Sequence, residues 1–192
     1  FNHTAEFGAD NLVDHFKSLA RDHCYLLKKD GAHKNYSSCV NTLKCAHPTS
    51  RRMIRESLIY WAHEMGVDGF RFDLATILNR DAAGNIMDSP QLLWELRNDP
   101  SLKNINLIAE PCDASGVYEL VKAAGLEDWV EWNDKYRDTV RCTLRGEEDM
   151  MVVLKESILG SLDIFGSVES GRKCSLNFIT SHDGMSLMDL VL

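Results

Sequence analysis

Apolar positions along the chain switch between two spacings. Beyond Pro48, the residues Met53, Ile54, Leu58, Trp61 and Met65 recur three or four apart, the signature of a helix with one buried face. Pro48 suits a first helical turn and Gly66 a C-terminal cap. The pattern then changes to a short apolar run over 67–74, read as a buried strand. A second helix is predicted from Ser89-Pro90, carrying Leu92, Leu93 and Leu96 and ended by Pro100. A strand over 105–110 follows, then a short helix over 117–124 closed by Gly125 and a strand over 129–132. Helical patterns resume over 134–145 and 148–159, where Met150-Met151 and Val152-Val153 read as helix core. A strand over 175–181 leads into His182-Asp183-Gly184. Residues 4–46 are polar and irregular and read as one long loop, a kind of segment that usually serves function.

Alternation of strand and helix argues for a parallel sheet with crossover helices, an α/β fold. Three strands end in acids: Asp73, Glu110 and, after His182, Asp183. Active sites of (β/α)8 barrels are built from the C-terminal ends of several strands, so a barrel is favoured over an open sheet. A complete barrel takes about 250 residues, and roughly four or five β/α units are legible here. The expectation is a partial (β/α)8 TIM barrel, about strand 3 to strand 7 or 8, occupying 1–192 as one domain. The chain opens on Phe1 and closes inside the apolar pattern Leu190-Val191-Leu192, so both ends read as cut. An upstream targeting segment stays open on that reading, and the isolated piece is expected to be inactive.

The strand-end residues carry the chemistry. Side chains at i and i+2 share a strand face, so Arg71 and Asp73 project together. A cation beside a carboxylate favours its charged form, as a nucleophile requires. Taken alone the pair also suits a structural ion bridge. Glu110 ends an apolar strand, where burial would raise its pKa toward that of a working acid. One attacking carboxylate and one proton-donating acid make the minimal apparatus of glycoside hydrolysis. In a retaining enzyme the two lie about 5–5.5 Å apart. Asp183 suits hydrogen bonding to sugar hydroxyls, His3 and His182 suit donating to them, and Trp129 and Trp132 suit either stacking on a glucose face or wall packing. Glu147-Glu148-Asp149 read as the start of a helix, where acids favour the dipole.

Composition narrows the field. The net charge is −8 and the pI about 5.3, with no basic stripe, which disfavours nucleic acid. Hydrophobic residues make up 44% of the 192, enough for a packed core, yet no run approaches the ~20 residues of a membrane span. The six cysteines form no Cys-x-x-Cys pair and no metal-type spacing with His, and read as reduced thiols. No Gly-x-Ser-x-Gly elbow, phosphate-binding loop or His-Glu-x-x-His motif is present.

In fixed order, the segments Phe1-Asn2-His3, Gly69-Phe70-Arg71-Phe72-Asp73-Leu74-Ala75, Ile108-Ala109-Glu110-Pro111 and Asn177 to Gly184 resemble the four motifs of the α-amylase superfamily of glycoside hydrolases, glycoside hydrolase family 13. The stretches Asn2 to Glu6, Cys39 to Leu43, Ser57 to Trp61, Glu131 to Asp138 and Gly160 to Asp163 are similar to its isoamylase and glycogen-debranching branch. The resemblance implies Asp73 as nucleophile, Glu110 as general acid/base and Asp183 as transition-state stabiliser. It implies substrate-binding roles for Arg71, His182 and His3, and Trp132 is assigned to substrate stacking. Hydrolysis of α-1,6 branch linkages in glycogen, amylopectin or starch-type glucan, with retention, is the activity implied. No cofactor is required. Calcium occurs in many superfamily members, but nothing here demands it. Cys112 stands where the branch commonly has Trp, Met185 replaces a usual Phe, and 113–118 match only loosely.

Two alternatives stand beside this reading. An α-glucanotransferase or branching-type enzyme shares the first half-reaction, with a sugar hydroxyl replacing water. A noncatalytic glucan-binding regulatory subunit is disfavoured by the retained Arg71, Asp73, Glu110, His182 and Asp183. The compartment is read as cytoplasm or plastid, with no membrane partner, and homo-oligomerisation is left open.

Overall fold

A computed structural model describes residues 2–4, 16–111, 129–167, 174–182, 186 and 188–189. The chain divides into two units, Phe1–Trp129 and Val130–Leu192.

In the first unit, β1 (His3–Thr4) pairs antiparallel with β2 (Asn41–Thr42), and α1 (Lys17–Cys24) lies between them in sequence. These elements correct the expectation of one long loop over 4–46. The signal for α1 was present: Phe16, Ala20 and Cys24 recur every four residues and pack on the core. Helix α2 (Pro48–His63) starts as expected, with Pro48 in the first turn and the His47 ring accepting from the Thr49 N–H at 3.3 Å. Ile54 is buried, with Met53, Leu58, Ile59 and Ala62 against the core, while Trp61 and Met65 near the C-terminal end are exposed. Gly66 follows in the left-handed conformation, φ +71°.

Strand β3 (Gly69–Phe72) runs parallel to β4 (Asn106–Ala109), with Gly69 opposite Asn106 and Phe72 opposite Ala109. Both are shorter than the apolar runs that announced them. Gly69 is required by the pairing: a Cβ there would lie 2.8 Å from the Asn106 carbonyl oxygen. Between the strands, α3 (Gln91–Asn98) buries Leu92, Leu93 and Leu96. It stops before Pro100, which opens a 3-10 turn over Pro100–Leu102. A second 3-10 turn, Ala75–Asn79, follows β3 and is buried throughout. Trp129 is 1% exposed with its ring 4.8 Å from that of Phe72, so it belongs to the core.

In the second unit, β5 (Val130–Asn133) leads into α4 (Asp134–Leu144), α5 (Met150–Ile158) and α6 (Leu162–Phe165) before β6 (Ser175–Asn177), which lies parallel to β5. The Asn133 side chain caps α4 by accepting from the Tyr136 N–H at 2.9 Å. Adjacent positions on a helix point about 100° apart. The paired residues of α5 therefore cannot all face inward: Met151 and Val152 are exposed, contrary to their reading as core. Asp149 takes the N-cap position of α5 in a left-handed conformation without a capping bond. The expected helix over 117–124 lies outside the described residues.

Each unit thus places helices between parallel strands, an α/β arrangement. Among the described residues, Cys24, Cys39, Cys45, Cys142 and Cys174 are free thiols. No helix among them is long and apolar enough to cross a membrane.

Candidate active site

The first unit gathers four of the predicted residues. Arg71 lies on β3 and Asp73 just past its end, and a hydrogen-bonded ion pair joins Arg71 Nη1 to Asp73 Oδ1. The other terminal nitrogen, Arg71 Nη2, stands 3.0 Å from Glu110 Oε1, immediately after β4. One guanidinium therefore spans two carboxylates, a use of its planar fork that a lysine could not reproduce.

Backbone geometry holds the same junction. Leu74 adopts the left-handed conformation, φ 42° and ψ 57°, which is uncommon for a branched residue. Its N–H donates to Glu110 Oε2 at 2.7 Å. The Glu110 N–H donates to the Phe72 carbonyl at 3.1 Å, and the Ala75 N–H to the Glu110 carbonyl at 2.9 Å. The two strand ends are laced across Glu110 in both directions, which fixes where its carboxyl group can lie. The sequence expectation for Glu110 considered burial alone. The structure covers the side chain, at 14% exposure, but also supplies it with an amide donor and a cation.

His3 completes the cluster, with Nε2 3.7 Å from Asp73 Oδ2. Burial lowers the His3 pKa below its usual value, and the facing Asp73 charge opposes that shift only in part. At neutral pH the imidazole is therefore uncharged, and the Arg71 guanidinium is the cation that faces both acid side chains. The Asp73 side chain is 44% exposed and open to a ligand.

Asn2 belongs to the first motif, whose resemblance implies no role for it. Its side-chain nitrogen donates to the Asp73 carbonyl and, at 3.2 Å, to the Leu74 carbonyl, and its oxygen lies 2.6 Å from His3 Nδ1. Adjacency of Asn2 and His3 in the sequence hinted at a shared purpose, whereas nothing about Leu74 announced its backbone.

In the second unit, Trp132 and His182 have ring centroids 6.2 Å apart, and Phe178 stacks obliquely on Trp132 at 5.1 Å. Trp132 is half-buried and His182 exposed. Asp183, Cys112, residues 113–118 and Met185 lie outside the described residues. Among the described residues, no group of three or more His, Cys, Asp or Glu side chains is arranged to hold a metal ion.

Comparison with known proteins agrees with the motifs. No protein-family model matches the chain. Isoamylase SU1, chloroplastic, of Zea mays is 39% identical across 100% of this chain and 27% of its own length. Isoamylase 1, chloroplastic, of Arabidopsis thaliana is 37% identical across 99% of this chain and 27% of its own length. The glycogen operon protein GlgX homolog of Mycobacterium tuberculosis is 37% identical over 100% of this chain and 26% of its own. The chain spans about a quarter of the length of these curated relatives. Among solved structures, a pullulanase from Bacillus acidopullulyticus superposes with a TM-score of 0.71 at 24% identity, over 97% of this chain and 24% of that one. A pullulanase from Paenibacillus barengoltzii gives 0.72 at 20% identity, over 98% of this chain and 31% of that one. These two likenesses speak to the fold alone. With its motifs in order and isoamylases matching it from end to end, the chain is similar throughout its length to a segment of the isoamylases.

Proposed function

We propose that the protein carrying this chain hydrolyses α-1,6-glucosidic branch linkages in glycogen or starch-type glucan by a retaining double displacement. The observation that carries this reading is the Arg71 guanidinium spanning Asp73 and Glu110 at the ends of two parallel strands. Asp73 attacks the anomeric carbon while Glu110 hands its proton to the departing glycosidic oxygen. Glu110 then takes a proton from water, which releases the sugar from Asp73 with its original configuration. Arg71 orients Asp73 and balances its charge. Asp183 grips the secondary hydroxyls of the distorted ring, His3 and His182 bind further hydroxyls, and Trp132 offers a face for stacking.

The scaffold in this proposal is a (β/α)8 barrel, with the parallel pairs β3–β4 and β5–β6 contributing strands within the range of about strand 3 to strand 7 or 8. The substrate class is supported by the names of the relatives, which include isoamylases and a glycogen operon protein. The free thiols suit a cytoplasmic or plastid setting, and chloroplastic isoamylases are among the relatives. The chemistry proposed draws on side chains alone and requires no cofactor.

The test is product analysis with the full-length protein on glycogen. Release of linear chains whose new reducing ends are α-configured is the expected result. Rebuilt branches would assign a transferase, and glucan binding with no reducing-sugar release would assign a regulatory subunit.

A further inference from the structure

Asn2 is buried, at 3% exposure, and spends both ends of its side-chain amide on the site. Its orientation is fixed by chemistry. Two of its neighbours, the carbonyls of Asp73 and Leu74, can only accept hydrogen bonds, so the amide nitrogen must face them. The amide oxygen must then face His3 Nδ1 at 2.6 Å, and an oxygen acceptor there requires the proton to reside on Nδ1. In a neutral imidazole the other nitrogen, Nε2, is left with a lone pair. That lone pair lies 3.7 Å from Asp73 Oδ2, too far for a hydrogen bond and with both atoms acceptors. What fits against two such acceptors is a donor, and a sugar hydroxyl is one.

The nitrogen end has a second consequence. By holding the carbonyls of Asp73 and Leu74, it braces the left-handed turn whose N–H reaches Glu110 at 2.7 Å. We propose that Asn2 is a positioning residue: it makes His3 an acceptor toward substrate hydroxyls and braces the Asp73–Leu74 turn that orients Glu110. This rests on the glycosidase reading above and reverses the expectation that His3 donates to the sugar. Burial, which keeps His3 uncharged, supports it.

The experiment reads the His3 ring nitrogens by NMR in the full-length protein labelled with 15N-histidine, in the native form and in Asn2→Ala and Asn2→Asp. A protonated Nδ1 and bare Nε2 are expected in the native protein. Asn2→Asp keeps an acceptor toward Nδ1 and should keep that tautomer, whereas Asn2→Ala should give a mixture with Nε2–H. Both variants lose the brace on the turn, so kcat/KM on branched glucan should fall by about 10- to 100-fold, the scale of a small misplacement of reacting groups. A native His3 protonated on Nε2, or an Asn2→Ala tautomer identical to native, would overturn the proposal. If Asn2→Ala fails to fold, the native spectrum and Asn2→Asp still decide it. The tautomer is read without substrate, so the result stands apart from whether the protein cleaves glucan.

Discussion

Two arginine–aspartate pairs in the first unit expose opposite partners. In Arg55–Asp99 the aspartate side chain is 1% exposed and the arginine side chain 43%. In Arg71–Asp73 the order is inverted, with the aspartate side chain 44% exposed and the arginine side chain 24%. Asp99 is sealed beneath its partners: it also accepts from the Ser101 N–H at 2.9 Å and so caps the 3-10 turn after α3. Asp73 is left open while Arg71, which supports it, is drawn inward and shared with Glu110. An acid that serves the fold needs its partners and nothing else, whereas an acid that meets a substrate needs support from behind and access in front. Which member of the pair is covered therefore supports the proposed role of Asp73 over that of a structural ion bridge.

The largest expected effect contrasts the two acids directly. In the full-length protein, Asp73→Asn should lower turnover of branched glucan by roughly 10³-fold or more, the scale of losing a nucleophile, with the melting temperature unchanged. Asp99→Asn should leave turnover near native. Steady-state rates beside thermal melts of both variants check this, and a reversed pattern would exchange their roles.

Next in size, Glu110→Gln should lose far more activity on glycogen than on an α-glucosyl fluoride. Fluoride departs without a proton, so only the natural leaving group needs the acid. Equal losses on both substrates would remove Glu110 from the acid role.

A smaller effect belongs to stability. Asp99→Asn leaves the Arg55 charge unpaired, and because Arg55 is partly solvated the cost should be about 1–3 kcal/mol in chemical denaturation, below that of a fully buried pair.

The smallest effects are set by pH. Burial pushes the Asp99 pKa up, but the hydrogen bond and charge of Arg55, with the Ser101 N–H, more than offset it and leave the carboxyl below its usual 3.8. The native state then binds fewer protons than the unfolded chain. The Asp99 contribution is present above pH 3.8 and is lost as pH falls through the depressed native value. His3, lowered from 6.5, likewise costs stability as pH drops below that value. Acid titration of stability should therefore flatten at its low end in Asp99→Asn and near pH 6 in His3→Gln.

Much of the site was legible because its signals are local. Arg71 and Asp73 are two residues apart, so strand geometry alone placed them together, and Leu92, Leu93 and Leu96 marked α3 through helical spacing. The bridge from Arg71 to Glu110 was not legible, since it depends on the parallel register that sets Arg71 opposite Ile108. Neither was the left-handed Leu74, because a leucine gives no hint of a conformation normally left to glycine or asparagine. Strands β1 and β2, two residues each, are too short for any periodicity to reveal. Trp129 suits wall or platform equally by sequence, and only its packing on Phe72 in the core makes it wall.

The central claim is that Asp73 bonds to the sugar. It is tested most directly by treating full-length Glu110→Gln protein with an α-maltosyl fluoride and mapping the trapped adduct by peptide mass spectrometry. Activated substrate should form the ester, while the missing base slows its hydrolysis, so the account predicts a sugar on the peptide carrying Asp73. A sugar on a different residue, or an inverted product with no adduct, would contradict it.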